Sequence, residues 1–126
     1  MTALRKIFVA KDAARTELHD ALKLSGCEIS VNHAAKGTGV PFVHSHKDNE
    51  EVYGILEGHG ELYLDGEVSN IQAGDWFVID PDGHRALKAA DDSDMLYICV
   101  QVKKGSLGGF TMTDANLCED KAPWQK

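Results

Sequence analysis

Beyond Gly26 the chain is a succession of short runs in which apolar and polar residues alternate, the period-2 signature of half-buried strands. Cys27, Ile29, Val31 and His33 form the first series, and further runs follow at 52–56, 61–64, 68–71, 76–79, 85–89 and 95–102. Turn formers punctuate them: Glu57-Gly58-His59-Gly60, Ala73-Gly74-Asp75, Pro81-Asp82-Gly83 and Asp91-Asp92-Ser93. Asp65-Gly66 is a two-residue hairpin signal, because both central positions of the favoured turn need positive φ. Breakers at roughly 8–12 residue spacing are those of a β-sandwich or barrel. Phe42, Trp76, Phe77 and Ile79 are its expected core.

One segment follows a different period. In residues 12–24, Ala14, Leu18, Ala21 and Leu22 fall at i, i+4, i+7 and i+8 and predict one apolar helical stripe. Asp12 is placed to cap its start and Ser25-Gly26 to stop it. After Lys103 the alternation ends, and 105–126 predicts a C-terminal arm whose Phe110 and Trp124 are apolar enough to pack against a neighbour. The expectation is therefore an all-β single domain over 1–126, with one short N-terminal helix (about 12–24), a barrel (about 27–104) and the arm (105–126).

Charge narrows the partners. Thirteen Lys and Arg against twenty Asp and Glu leave a net charge of −7. A phosphate backbone or an anionic lipid surface is repelled overall, which argues against nucleic-acid and membrane roles. No apolar run approaches the roughly 18 residues that span a bilayer. The three cysteines, Cys27, Cys99 and Cys118, are an odd and widely spaced set, which fits a reducing, cytoplasmic setting better than a disulfide framework.

The densest group of potential ligands is His44-Ser45-His46-Lys47-Asp48-Asn49-Glu50-Glu51. Residues two apart on an extended chain face the same way, so His44 and His46 present two imidazoles about 7 Å apart at their Cα atoms. Imidazole with carboxylate suits divalent Mn, Fe, Ni, Cu or Zn, and does not choose among them. Glu50 and Glu51 are the candidate carboxylates, and strand parity alone does not decide between them.

These residues resemble the first motif of the cupins, small β-barrels of the double-stranded β-helix (jelly-roll) type. That motif places two histidines as H-x-H, a glutamate four or five residues later, and a glycine further on. His44, His46, Glu51 and Gly58 stand at those intervals, which favours Glu51 over Glu50; Gly39 lies one place from the motif's opening glycine. Gly74-Asp75, followed by four strand residues and a Pro- and Gly-containing turn, resembles the second motif. The resemblance spans roughly 28–102 and is strongest to small single-domain cupins. It implies a homodimer, for which the barrel edges and an N-terminal strand at 5–9 would be available.

The second motif departs from the pattern where a complete cupin site takes a fourth ligand, a histidine. Arg85 or Ala86 falls at that place, depending on the alignment, and His84 is one residue off. Parity puts Arg85 with Leu87 on one face, and His84, Ala86 and Lys88 on the other. Lys88 resists burial, so Arg85 is expected to point inward. A β-bulge at Gly83 would instead re-aim His84. With His84 inward the site has three histidines and a glutamate. With Arg85 inward only His44, His46 and Glu51 remain, and a guanidinium near a divalent ion repels it by several kcal/mol, on the order of the unscreened Coulomb value. An anion between them would relieve that repulsion.

Two functions follow. In the first, a divalent ion on His44, His46 and Glu51 serves a metal-dependent enzyme, which the resemblance implies is an oxygenase or isomerase acting on a small molecule, an anion among the candidates. Glu50 and Tyr53 are then the candidate proton carriers. In the second, the barrel is a non-catalytic binding module for an anion or sugar, with Arg85 as anchor and metal weak or absent.

Overall fold

The computed structural model describes residues 3–126, and these are dominated by antiparallel β structure. In chain order the elements are β1 (Arg15–Glu17), α1 (His19–Leu22), β2 (Glu28–Ala34), β3 (Asn49–Leu64), β4 (Glu67–Gln72), β5 (Trp76–Ile79), β6 (Arg85–Ala89) and β7 (Met95–Lys103), followed by a 3-10 turn at Thr111–Thr113. Neighbours run β1-β2-β7-β3-β4, with β5 and β6 also paired to β3. The architecture is consistent with the double-stranded β-helix. Among the described residues no helix is long and apolar enough to cross a membrane.

The sixteen-residue β3 organises everything else. Its first half pairs with β7 and β5, and its second half pairs with β4 and β6. The sequence pattern predicts a turn at 57–60; the structure carries the strand straight through it. A register shift between Ile55 and Glu57 takes up the glycines instead. Gly58, at φ 78°, lies so close to β7 that a Cβ there would overlap the Asp94 carbonyl oxygen. The shift also reverses the phase. Glu51, Tyr53 and Ile55 are buried before it, Gly60 and Leu62 after it.

The core is formed by Tyr53, Ile55, Leu62, Ile71, Ile79, Leu87, Met95, Tyr97 and neighbours. Ile79 belongs to it as expected and Phe77 packs against it. Phe42 and Trp76 do not: both are largely exposed, although the Trp76 ring lies against Gly54. The Asp65-Gly66 turn has positive φ at both residues (49° and 90°), as the hairpin signal required.

The N-terminal helix is the largest departure. Arg15–Glu17 pairs with β2 as a strand, and only the single turn His19–Leu22 is helical. Two influences outcompete the apolar spacing of 14, 18, 21 and 22. Backbone pairing with Asn32, Val31 and Ser30 claims residues 15–17. Glu28 then caps the short turn from a distance, its Oε1 accepting from the Leu18 and His19 amides. Residues 3–10, where a strand was expected, carry no regular structure.

β2 buries the face opposite to the apolar one. Ser30 and Asn32 are 1% and 5% exposed, while Ile29, Val31 and His33 are only half-buried. Across the sheet Asn32 pairs with Tyr97 and Ser30 with Cys99, so this polar face looks into the barrel. Within that face Asn32 Nδ2 donates to Ser30 Oγ, so the two buried polar side chains satisfy each other.

Candidate metal centre

The two histidines lie on an extended segment rather than a regular strand. Gly39 and His44 form single bridges to Lys88 and Arg85 of β6. The His44 and Arg85 amides and carbonyls exchange both backbone hydrogen bonds, at 3.1 and 3.0 Å, and the His46 amide donates to the Pro81 carbonyl at 2.7 Å. This backbone tethering keeps the period-2 alternation, so both imidazoles turn inward. Their ring centroids are 5.2 Å apart at 79°. Glu51 arrives from β3, 2% exposed, on the inward phase that precedes the register shift.

Donor atoms of His44, His46 and Glu51 all lie within 4.8 Å of one another, and no other cluster of this kind occurs among the described residues. Ligands on one ion at about 2.1 Å stand about 3–4 Å apart, so a small contraction closes the trio on a metal. Nδ1 of His44 and Nε2 of His46 are buried with no hydrogen-bond partner. His46 Nε2 is only 3.3 Å from Glu51 Oε2, yet the two are not in hydrogen-bonding geometry. Buried imidazole nitrogens left without partners, facing a carboxylate oxygen, are what a cation site requires. Desolvation lowers the His44 pKa below its usual value; Glu51 opposes this, while His46, Arg85 and Arg15 add to it. The imidazole is thus kept in its neutral, ligating form.

Glu51 is fixed by its neighbours. Its Oε1 accepts from the Tyr53 hydroxyl at 2.8 Å and from Arg85 Nη1 at 3.1 Å, and its Oε2 accepts from the Cys99 thiol at 3.3 Å. Oε2 is therefore the oxygen turned toward the histidines. Burial, reinforced by Glu51, pushes the Cys99 thiol up to about 12 and raises the Tyr53 phenol as well, so both stay protonated and donate. Such partners orient a ligating carboxylate.

Arg85 points inward, as parity and Lys88 required, and is 0% exposed. It does not line the cavity as a ligand anchor. Nη1 goes to Glu51 and Nη2 to the Asp80 carbonyl at 2.6 Å, behind the carboxylate. The anion expected between guanidinium and ion is Glu51 itself. His84 is exposed, its amide donating to Asp65 Oδ1 at 2.8 Å. Gly83 cannot swing it inward by a bulge, since the β3–β6 register is unbroken and Gly83 is packed against Ile79 and Leu64. Glu50 pairs with Val102 on the face opposite to Glu51, away from the trio. Tyr53 lines the site and stacks on Phe77 at 5.3 Å.

The trio opens into a cavity of about 470 Å³, walled by Phe42, Tyr53, Tyr97 and Leu87 and reached by Arg15 and Gln101. A groove of about 640 Å³ beside His59 and Asp75 is larger, but it has no convergent ligand set. Sequence reasoning missed Arg15, Asn32 and Cys99. Arg15 was hidden inside an expected helix, and Cys99 entered only as one of three widely spaced cysteines. The polar phase of β2 was the available signal.

Comparison with known proteins agrees with this fold. A family model described as "Cupin domain" matches residues 31–101. The crystal structure of a cupin protein from Bacteroides fragilis is 56% identical, with a TM-score of 0.90, over 94% of this chain and 99% of that one. A Cupin 2 conserved barrel domain protein from Salinispora arenicola shares the fold at 18% identity and a TM-score of 0.65, over 82% and 91% of the two chains. An uncharacterized protein from Aquifex aeolicus is 42% identical over 36 residues, 29% of this chain and 30% of that protein. With its motif matched over more than half its length, the chain belongs to the cupin family.

Proposed function

We propose that the chain holds one divalent first-row ion on His44, His46 and Glu51 and uses it on a small molecule in the adjoining cavity, as a metal-dependent oxygenase or isomerase. The observation that carries this reading is the pair of buried, partnerless imidazole nitrogens facing the oriented Glu51 oxygen. A divalent ion bound there would supply Lewis-acid polarisation of a coordinated oxygen, with positions left open for substrate. The protein's own part is to keep the imidazoles neutral, to aim Glu51 through Arg85, Tyr53 and Cys99, and to exclude bulk water with Phe42, Leu87 and Tyr97.

A second reading, a binding module that holds its ligand without turning it over, is favoured by one observation. Among the residues described as lining the cavity, Glu51 is the sole carboxylate and already accepts from Tyr53, Arg85 and Cys99, while Tyr53 and Cys99 are held protonated, so neither of those two is free to accept a proton.

Metal analysis of untagged protein purified without chelator tests the first reading. About one ion per chain is expected, lost in His44→Ala and His46→Ala with the fold intact. Metal-free parent protein whose thermal midpoint is unmoved by EDTA or added metal overturns it.

The chain works as a homodimer in the cytoplasm. Leu4, Phe8, Phe110, Leu117 and Trp124 stand exposed on the two terminal arms and are the apolar side chains that pairing would cover. The cysteines are unpaired, as a reducing compartment keeps them. Light scattering at micromolar concentration should give twice the 13.7 kDa chain mass; a monomeric mass refutes the pairing.

A further inference from the structure

Arg15 sits on the short edge strand β1, where the sequence predicted helix, and that placement brings a cation to the cavity wall. The β1–β2 and β2–β7 registers align Arg15, Asn32 and Tyr97 in one row across the sheet, on the face that looks into the barrel. Arg15 Nη1 donates to Asn32 Oδ1 at 2.8 Å, and Asn32 Nδ2 donates to Ser30 Oγ at 3.0 Å. Ser30 and Asn32 are buried, so a fixed amide holds the guanidinium in place. Asn32 occupies one of its five N–H donors. Glu17 Oε2, 3.7 Å from Nη2, is on the exposed rim and too far for a hydrogen bond.

The charges around the cavity are not balanced from within. Glu51 is the one carboxylate among the described lining residues, and Arg85 already pairs with it. Arg15, its side chain 48% exposed at the cavity mouth, and any divalent ion on the histidines therefore border a cavity whose remaining wall is mainly apolar: Val40, Pro41, Phe42, Leu87 and Tyr97. Arg15 lines the same cavity as His44, His46 and Glu51, which places it on the wall of the chamber that the trio opens into.

We propose that Arg15 is the substrate anchor of this site and that the substrate is a small carboxylic acid with an apolar body. The carboxylate binds the guanidinium, the body lies against Phe42 and Tyr97, and the group next to the carboxylate faces His44, His46 and Glu51. A fork of N–H donors matches a carboxylate with two parallel bonds, which an amide of the same shape cannot reproduce. The assignment rests on the reading of this cavity as the working site and gives that reading its substrate class.

Calorimetric titration with acetate, phenylacetate and mandelate, each beside its amide, tests it on metal-loaded protein whose metal content is assayed in parallel. At least one acid should bind about tenfold or more tightly than its amide. Arg15→Gln should abolish that preference while leaving metal content and amide binding unchanged, and Arg15→Lys should restore part of it. Glu17→Gln, which removes the competing rim carboxylate without touching the barrel, should tighten acid binding about two- to threefold at low salt. No acid preferred over its amide, or a preference that survives Arg15→Gln, overturns the assignment. Should Arg15→Gln fail to fold, unchanged acid binding in Glu17→Gln overturns it. If the protein holds no ion yet the preference appears and is lost in Arg15→Gln, the metal reading falls and the anchor stands. If an ion is retained and no acid is preferred, the anchor falls and the metal reading stands.

Discussion

Replacing Arg85 by Met isolates the most unusual feature of the site, a fully buried cation behind the carboxylate of the candidate metal trio. Arg85 and Glu51 are 0% and 2% exposed and joined at 3.1 Å, with a second bond from Arg85 to the Asp80 carbonyl. Met fills a similar volume, so the loss is electrostatic. Glu51 would keep only the neutral donors Tyr53 and Cys99. Breaking a buried pair in this way costs about 3–5 kcal/mol, a large fraction of the roughly 5–15 kcal/mol by which a domain is folded. With a urea slope of about 1–3 kcal/mol per M, the unfolding midpoint of metal-free protein should fall by about 2 M. Adding Glu51→Gln to Arg85→Met removes the stranded charge and should recover most of the loss. In the single variant a divalent ion becomes the remaining counter-charge for Glu51, so metal should restore more stability than it adds to the parent, and competition with a chelating dye should show about tenfold tighter binding or more. A metal-free Arg85→Met protein as stable as the parent, or a double variant no better than the single one, refutes the reasoning.

Two further outcomes follow from the same coordinates. Because burial lowers the folded-state pKa of His44 below the usual 6.5, the unfolded chain takes up this proton first; metal-free protein should hold its full His44 contribution above about pH 6.5 and lose it as pH falls toward the depressed value. His44→Gln should flatten that part of a pH series of urea midpoints, and an unchanged slope contradicts the burial argument. Gly58→Ala should cost about 2 kcal/mol or more, since it adds left-handed strain to an overlap with the Asp94 carbonyl, whereas Gly66→Ala, with open space around it, should cost only about 1–2 kcal/mol in the same denaturation assay.

Local signals carried much of the design. The H-x-H pair, the Glu51 spacing and the Asp65-Gly66 turn each depend on a few adjacent residues, and each is where the sequence put it. The inward turn of Arg85 was legible too, because Lys88, three residues on and therefore on the opposite face, resists burial. What failed depended on distant partners. Residues 15–17 have helical spacing, but pairing with β2 claims them as a strand. The 57–60 glycines resemble a turn until β7 and β4 fix β3 as one bulged strand. The inner face of β2 is polar because Arg15, Asn32 and Ser30 form a hydrogen-bond chain there, so the apolar face was the misleading guide. The sequence leaves Arg85 free to take a ligand because no spacing rule reveals that Glu51 and Asp80 already occupy it.

The most direct measurement is diffraction at the absorption edge of the bound metal, from crystals grown without chelator. The account predicts one anomalous peak within about 2.0–2.3 Å of an imidazole nitrogen of each of His44 and His46 and of Glu51 Oε2, with Arg85 still bonded to Oε1. Anomalous signal elsewhere in the barrel, or the two imidazoles closed onto Glu51 by direct hydrogen bonds in metal-replete crystals, would contradict it.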